Sequence, residues 1–157
     1  LQTKIVMKKI VVTGVLSCIA GASLAQQALK PEEMIKYRKA GYNVMAWNMG
    51  KIRANLDGTF DKNQVAAAAN AIAAIANSGT GALFGPGSEK DVGDQKTRVN
   101  PDFFKQPDKM REVGVNFSTE ATKLAQLAAG DDVAAIKAQF GKTGAACKTC
   151  HDISRKN

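Results

Sequence analysis

The residues best suited to chemistry in this sequence are Cys147, Cys150 and His151, which stand together as Cys-Lys-Thr-Cys-His near its end. Cys-x-x-Cys-His is the pattern that attaches c-type haem. On a helix, residues three apart share a side, so both thiols could add to the two vinyl groups on one edge of a porphyrin. His151 would then offer a neutral imidazole to the iron. The pattern predicts one covalently attached haem c per chain, with His151 as an axial ligand.

Three other kinds of site are compatible with a Cys-x-x-Cys pair. A structural zinc ion needs about four ligands, but His151 is the only histidine and Cys18 the only other cysteine. A thioredoxin-like redox pair is expected at a helix N-terminus near a β-strand, whereas this pair ends a segment with helical spacing. A disulfide between Cys147 and Cys150 is geometrically possible, but it would close a very short loop and stabilise the fold little.

Helical spacing of apolar residues predicts four helices that would position the motif, and no convincing strand. The predicted helices cover residues 31–55, 61–77, 107 to before 130, and 132 to about 156, with a long glycine-containing connection between the second and third. The predicted core positions are Met34, Tyr37, Gly41, Val44, Met45, Asn48 and Ile52; Val65, Ala68, Ala69, Ile72 and Ile75; Met110, Val113, Phe117, Leu124 and Leu127; and Val133, Ile136, Phe140, Gly144, Cys147 and His151. This order predicts an all-α, antiparallel four-helix bundle with covalently attached haem.

The first 25 residues have the pattern of a secretory signal peptide. Lys8 and Lys9 precede an apolar run, and Ser23-Leu24-Ala25 supplies small residues at the positions that a signal peptidase reads. The run is too short to span a membrane. Met7 has the appearance of a natural start, which would make residues 1–6 an upstream extension. We expect export to the periplasm, no membrane insertion, and a single domain over residues 26–157. A lipoprotein site at Cys18 is the alternative, disfavoured by the bulky residue two positions before it.

The charge of the chain argues against a nucleic-acid partner. Removing residues 1–25 takes away three lysines and no acids, and lowers the formal net charge from +8 to +5. The remaining lysines are scattered, without a basic run or interleaved aromatic residues. A mildly basic surface would suit an anionic partner or the carboxylates of a cofactor.

No second histidine is available for the other side of the iron. A methionine could bind there, and the candidates are Met34, Met45 and Met49 on the first predicted helix and Met110 on the third. The protein would then be a low-spin, six-coordinate electron carrier. Without a methionine ligand, the iron would be five-coordinate and able to bind a small gas. The residues alone leave both states open.

Several segments resemble the cytochrome c′ family, the class II c-type cytochromes. They are Lys30-Pro31-Glu32-Glu33, Tyr37-Arg38, Phe84-Gly85-Pro86-Gly87, and the C-terminal motif with Arg155 four residues after its histidine. The resemblance extends over essentially the whole chain after the signal peptide. It implies a four-helix bundle, usually a homodimer packed through its first two helices. It also implies a high-spin, five-coordinate haem that binds nitric oxide and carbon monoxide.

The same resemblance assigns roles to individual side chains. Tyr42 stands where an apolar or aromatic residue screens the distal face, unless it is ordinary core. Arg38 matches a residue near the haem propionates, with a solvated side chain as the alternative. Phe84 is expected to contact the cofactor. Arg155 matches the basic residue beside the proximal imidazole, although a basic residue also suits a helix C-terminus. Met45, one turn beyond Tyr42, is the candidate sixth ligand of the low-spin alternative.

The predicted function is therefore electron transfer, binding of nitric oxide and carbon monoxide, or both. The alternative is a low-spin electron carrier with a histidine and a methionine ligand. No distal His-Arg pair accompanies the motif, and no hydrolase triad can form when the only histidine binds iron. We therefore expect a protein that is not an enzyme, whose redox partner the sequence does not identify.

Overall fold

The computed structural model describes residues 29–156, and these residues form four α-helices. They are α1 (Pro31–Asp57), α2 (Lys62–Ala76), α3 (Pro107–Ala128) and α4 (Val133–Ser154). Two short 3-10 helices, Thr80–Leu83 and Pro101–Lys105, lie in the connection between α2 and α3. The described part of the chain has isolated β-bridges but no strand. The predicted all-α fold is confirmed, while the predicted signal peptide and Cys18 lie outside the described residues.

The helices begin at polar N-cap residues or at prolines, close to the starts that the sequence predicts. The side chains of Asp61 and Asp132 accept hydrogen bonds from free backbone N–H groups in the first turns of α2 and α4. Pro31 and Pro107 occupy the first turns of α1 and α3, where a missing N–H has no cost. These are general start signals, which explains why the predicted starts lie within a residue or two of the observed ones.

The end of α4 differs from the prediction because the chain after it pairs with the long connection. Asn100 donates its backbone N–H to the carbonyl of Ser154 at 2.7 Å, and Lys156 donates to the carbonyl of Arg98 at 2.8 Å. An isolated antiparallel bridge joins Val99 to the residue after Ser154. The helix therefore ends at Ser154 instead of continuing to residue 156.

Helices adjacent in sequence pack closely against each other, whereas α1 and α4 touch directly at far fewer places. Where they approach each other, α1 and α4 run in opposite directions. Late in α1, the guanidinium of Arg53 lies 5.8 Å from the ring centroid of Phe140, early in α4. Nearer the start of α1, Tyr42 lies within electrostatic range of Cys150, near the end of α4. The bundle thus brings the start of the first helix to the end of the last one.

The core contains aliphatic side chains and alanines from all four helices. Its buried members are Met45, Ile52, Val65, Ala68, Ala69, Ile72, Ala76, Ala121, Leu124, Ala128 and Ile136. The alanines of α2 allow close packing, and a Cβ on Gly41 of α1 would stand only 3.5 Å from Ile75. The predicted core face of α2 is confirmed, with Ile75 partly buried at its edge.

The predicted core face of α1 is partly wrong. Tyr37 and Val44 are 49% and 44% exposed, whereas Arg38 and Asn55, which lie outside the predicted face, are buried. The predicted burial of Asn48 is confirmed. The side chains of Arg38 and Asn55 can be buried because tertiary contacts supply their hydrogen-bond partners, and sequence patterning treats both as surface residues. Two other predicted core residues, Leu127 and Val133, are each 38% exposed beside the turn that joins α3 to α4.

Candidate haem site

Cys147 and Cys150 lie in the last two turns of α4 as half-buried free thiols. Burial raises the pKa of both thiols, and Cys150 Sγ lies 3.7 Å from Ser154 Oγ. A redox-active pair has lowered pKa values, often from a helix N-terminus, whereas this pair is at a helix C-terminus. The geometry does not favour a thioredoxin-like site. It presents two thiols on one side of α4.

His151 follows directly and is half-buried. Its Nε2 lies 2.8 Å from Nη2 of Arg155, one turn later. A guanidinium can only donate, so Nε2 is the unprotonated, accepting nitrogen of the ring. Burial, and then the charge of Arg155, lower the pKa of His151. The imidazole is therefore neutral and carries its lone pair on Nε2, as a metal ligand must. Binding iron through Nε2 would require Arg155 to release this hydrogen bond.

Tyr42, on α1, lies within electrostatic range of the two thiols. Burial, together with the nearby Cys150, raises the pKa of Tyr42 to about 12, and the charge of Arg38 acts in the opposite direction. At neutral pH the side chain is a largely buried, uncharged phenol. The fold thus brings a bulky aromatic ring from α1 to the same region as the motif on α4.

Phe84 stands at the centre of an aromatic cluster in the same region. Its ring meets Tyr42 edge-on, with centroids 6.5 Å apart. Phe103 and Phe104, in the second 3-10 helix, lie 6.0 and 6.1 Å from it. Neither was a predicted site residue. The only sequence signal for them is a pair of adjacent aromatic residues in a connection that is otherwise mostly polar.

Arg38 is only 4% exposed, so the alternative of a solvated side chain is wrong. Its Nη1 donates to the Leu83 carbonyl at 2.7 Å and to Ser88 Oγ at 3.1 Å. Its Nη2 donates to the Ser88 carbonyl at 2.9 Å and to Thr97 Oγ1 at 3.0 Å. Burial lowers the pKa of Arg38, although a guanidinium remains protonated. Sequence reasoning missed Ser88 and Thr97, which belong to no periodic pattern.

Two of the candidate methionines on α1 make different contacts. Met45 is 4% exposed and belongs to the central core cluster. Met34 packs against the connection, where a Cβ on Gly85 would stand 2.8 Å from its Sδ. Both positions are accounted for by packing, which is the usual role of methionine in a core.

The side chains gathered here fit a covalently held haem. Two thiols and a neutral imidazole lie on the end of α4, and α1 touches that helix directly at few places, so a flat apolar group could lie between the two helices. Tyr42 and Phe84 supply aromatic surface near the thiols. Within residues 29–156, no three His, Cys, Asp or Glu side chains are grouped so that they could hold a metal ion. The zinc alternative therefore has no support in this part of the chain.

No helix in the described part of the chain combines the length and the apolar character that a membrane crossing requires.

Comparison with known proteins finds a matching family model and similar relatives. A family model described as Cytochrome C' matches residues 33–155. A cytochrome c' of Allochromatium vinosum is 50% identical over 142 residues, which are 90% of this chain and 92% of the relative.

Solved structures agree with this result. The crystal structure of cytochrome c' from Thermochromatium tepidum has a TM-score of 0.81 and 50% identity, covering 83% of this chain and 99% of that one. A cytochrome c' described as having an unusual ligand-controlled dimer dissociation has a TM-score of 0.80 and 53% identity, with 82% and 98% covered. Structures of the Alcaligenes xylosoxidans cytochrome c prime, 28% identical with a TM-score of 0.70, include one with bound nitric oxide and one with bound carbon monoxide; they cover 82% of this chain and 97% to 98% of theirs.

Proposed function

We propose that this chain, which belongs to the cytochrome c′ family, is a periplasmic haem protein in which His151 is the only protein ligand of the iron and Tyr42 screens the opposite side. Covalently attached haem c is the cofactor of this family. It supplies an iron atom that exchanges one electron and can take a small gas as a ligand. Cys147 and Cys150 would hold the haem through thioether bonds, and Arg155 would lie beside the imidazole.

The position of Tyr42 is the observation that carries this proposal. It is a largely buried phenol on α1 near both motif thiols, whereas Met45, the candidate sixth ligand, is packed in the central core. A buried phenol with a pKa of about 12 stays uncharged at neutral pH and can donate a hydrogen bond. Tyr42 would therefore restrict access by its size and could donate to a gas that has entered.

The relatives support gas binding as the ligand class. Nitric oxide and carbon monoxide are bound in structures of single-residue variants of the Alcaligenes xylosoxidans protein, and we transfer both ligands to this chain. Electron transfer with an unidentified redox partner is compatible with the same site. We assign no catalytic turnover, because the only histidine is used for iron binding. The predicted signal peptide over residues 1–25 would deliver the domain to the periplasm.

The test is the absorption spectrum of the purified holoprotein, oxidised and reduced, with and without carbon monoxide. We expect a high-spin spectrum that changes when the gas is added, and no change of spin state in Met45→Leu. Tyr42→Ala should bind carbon monoxide at least about fivefold faster, since the contact of Tyr42 with Phe84 is worth about 1 kcal/mol. The matched control is Tyr37→Ala, because Tyr37 lies on the same helix but is 49% exposed.

Two results would overturn this assignment. A low-spin wild-type spectrum that becomes high-spin in Met45→Leu would establish the methionine-ligated electron carrier instead. Equal association rates in Tyr42→Ala and wild type would remove the screening role of Tyr42.

We also propose that the chain forms a homodimer through α1 and α2. Tyr37, Val44 and Trp47 are 49%, 44% and 64% exposed, and their spacing of seven and three residues places them on one face of α1. The similar cytochrome c' with ligand-controlled dimer dissociation supports a dimer in this family. Val44→Asp should shift the sedimentation coefficient to that of a monomer. Val115→Asp, at a 60% exposed valine on α3, should not; equal effects of the two changes would contradict this interface.

A further inference from the structure

Arg38 makes contacts that its resemblance to a propionate-binding residue did not predict. We propose that Arg38 is a positioning residue that holds Phe84 against Tyr42, and that it thereby sets how easily Tyr42 yields to an incoming gas. This inference rests on the proposed role of Tyr42 as a screen. It assigns to Arg38 a part in ligand access, through two aromatic rings.

The hydrogen bonds of Arg38 all go to the long connection. Four bonds join its two terminal nitrogens to Leu83, Ser88 and Thr97. Two of these partners flank Phe84 along the chain, one directly before it and one four residues after it. The four bonds use all four N–H groups of the two terminal nitrogens. Arg38 therefore ties the backbone on both sides of Phe84 to α1.

The guanidinium also contacts the ring of Phe84 itself. Its central carbon lies 4.7 Å from the ring centroid, in the geometry of a cation–π contact. The edge contact with Tyr42 is made by the same ring. Arg38 and Tyr42 are four residues apart on α1 and so share a side of the helix. Phe84 is thus held by Arg38 and packed against Tyr42, so a displacement of Tyr42 must also disturb Phe84.

Only an arginine can make this set of contacts. Its planar fork offers five donors and a flat surface for stacking, whereas a lysine offers three donors on a single point charge. Arg38→Lys therefore keeps the positive charge but loses the fixed geometry. The ring of Phe84 should then become more mobile, and Tyr42 should lose part of its packing contact with that ring.

The experiment measures carbon monoxide association by flash photolysis in the reduced holoprotein, for wild type, Arg38→Lys, Tyr42→Ala and the double variant. We expect Arg38→Lys to raise the rate about threefold to fivefold when Tyr42 is present, and less than about 1.5-fold when residue 42 is alanine. The matched control is Arg53→Lys, since Arg53 also lies on α1 over an aromatic ring, that of Phe140. It should leave the rate unchanged.

A second measurement does not depend on the rate of gas binding. In the reduced, carbon monoxide-bound protein, which is diamagnetic, proton NMR should detect through-space contacts between the rings of Phe84 and Tyr42. These contacts should weaken in Arg38→Lys and persist in Arg53→Lys. If Arg38→Lys does not fold, Phe84→Leu replaces it in the same cycle, with the same expected dependence on Tyr42.

The outcomes separate this inference from the function on which it rests. A rate increase of equal size with tyrosine or alanine at residue 42, or no increase at all, would mean that Arg38 does not act through Tyr42, while the screen itself would stand. Unchanged ring contacts in Arg38→Lys would also overturn the inference. If Tyr42→Ala alone leaves the rate unchanged, both the screen and the role of Arg38 are wrong.

Discussion

Gly87 is a residue at which the connection carrying Phe84 packs closely against the start of α1, and Gly87→Ala should lower the stability of the protein substantially. Gly87 has a φ of +87°, and a Cβ placed there would stand 2.8 Å from Cγ of Pro31. The left-handed backbone is unfavourable for alanine. The proline ring cannot turn aside as a flexible side chain could, so the backbone itself would have to move.

The expected size follows from two contributions. The left-handed conformation costs an alanine about 1 kcal/mol, and forcing a methyl group into a filled space costs about 2 kcal/mol. The lower entropy of alanine in the unfolded chain offsets about 0.5 kcal/mol. Gly87→Ala should therefore reduce the free energy of unfolding by about 2.5 kcal/mol, which lowers the midpoint of thermal unfolding by about 10 °C for a domain of this size.

Three other glycines of the same connection separate the contributions. Gly79 has a φ of +81° but open space around its Cβ position, so Gly79→Ala should cost only about 0.5 kcal/mol. Gly81 has open space and no such backbone, so Gly81→Ala should be neutral or slightly stabilising. At Gly85 a Cβ would stand too close only to the flexible end of Met34, with the Ala82 carbonyl oxygen at an ordinary 3.9 Å, and the cost should fall between the values for Gly87 and Gly79. Circular dichroism of the four holoproteins during thermal unfolding gives the comparison.

The order of the four variants is the decisive result. If Gly87→Ala costs no more than Gly79→Ala, the contact with Pro31 is absent and the docking of this connection is misplaced. A large loss in Gly81→Ala would contradict the open space around that residue. If Gly87→Ala has the expected cost, it should also accelerate carbon monoxide binding, because the displaced segment carries Phe84.

Three further predictions concern residues near the site and on α4. Tyr42 should titrate near pH 12 instead of 10, and the tyrosinate absorbance that reports this step should be missing in Tyr42→Phe. The phenol loses its proton at lower pH in the unfolded chain than in the folded protein. The free energy of unfolding should therefore fall as pH rises from 10 to 12, and it should fall more in wild type than in Tyr42→Phe. Thr143 is fully buried, and its hydroxyl donates to the carbonyls of Glu120 and Gln139. Thr143→Val should lower the free energy of unfolding by about 1 kcal/mol, and Thr143→Ser, which keeps the hydroxyl, should lower it less. Equal losses for the two variants in chemical denaturation would contradict this. Cys147→Ala and Cys150→Ala should each keep haem through denaturing electrophoresis and only the double variant should release it; retained haem there would exclude attachment through these thiols.

The four helices could be predicted because their signals are local. Asp61, Pro107 and the turn at Gly130 mark boundaries through neighbours in the chain. The buried face of α1 could not be predicted as well, because its polar members depend on distant partners. Asn55, for example, donates to Gln64 Oε1 at 2.6 Å and accepts from the backbone of Asp61 at 2.8 Å. Before the fold is known, nothing distinguishes such an asparagine from one on the surface.

The same distinction holds for the site. The assignment of Cys147, Cys150 and His151 to a haem site comes from their spacing alone. That of Tyr42 comes from a resemblance over essentially the whole chain after the predicted signal peptide. The partners of Arg38 lie up to 59 residues away in a connection without regular structure, so neither helical period nor motif could indicate them. Arg38 is buried only once the chain has folded, because its hydrogen-bond partners come from a distant segment of the chain.

The pairing of the end of α4 with Arg98 and Asn100 has a consequence for the order of folding. Contacts of α1 with α2 and of α3 with α4 close short loops, whereas those of the long connection with α4 and with Arg38 join segments far apart in the chain. Longer loops cost more entropy to close, and distant contacts form more slowly. We therefore expect the pairs α1–α2 and α3–α4 to assemble first and the side between α1 and α4 to close last. Until then the Cys-x-x-Cys-His segment remains accessible, which gives haem attachment a time window before folding is complete.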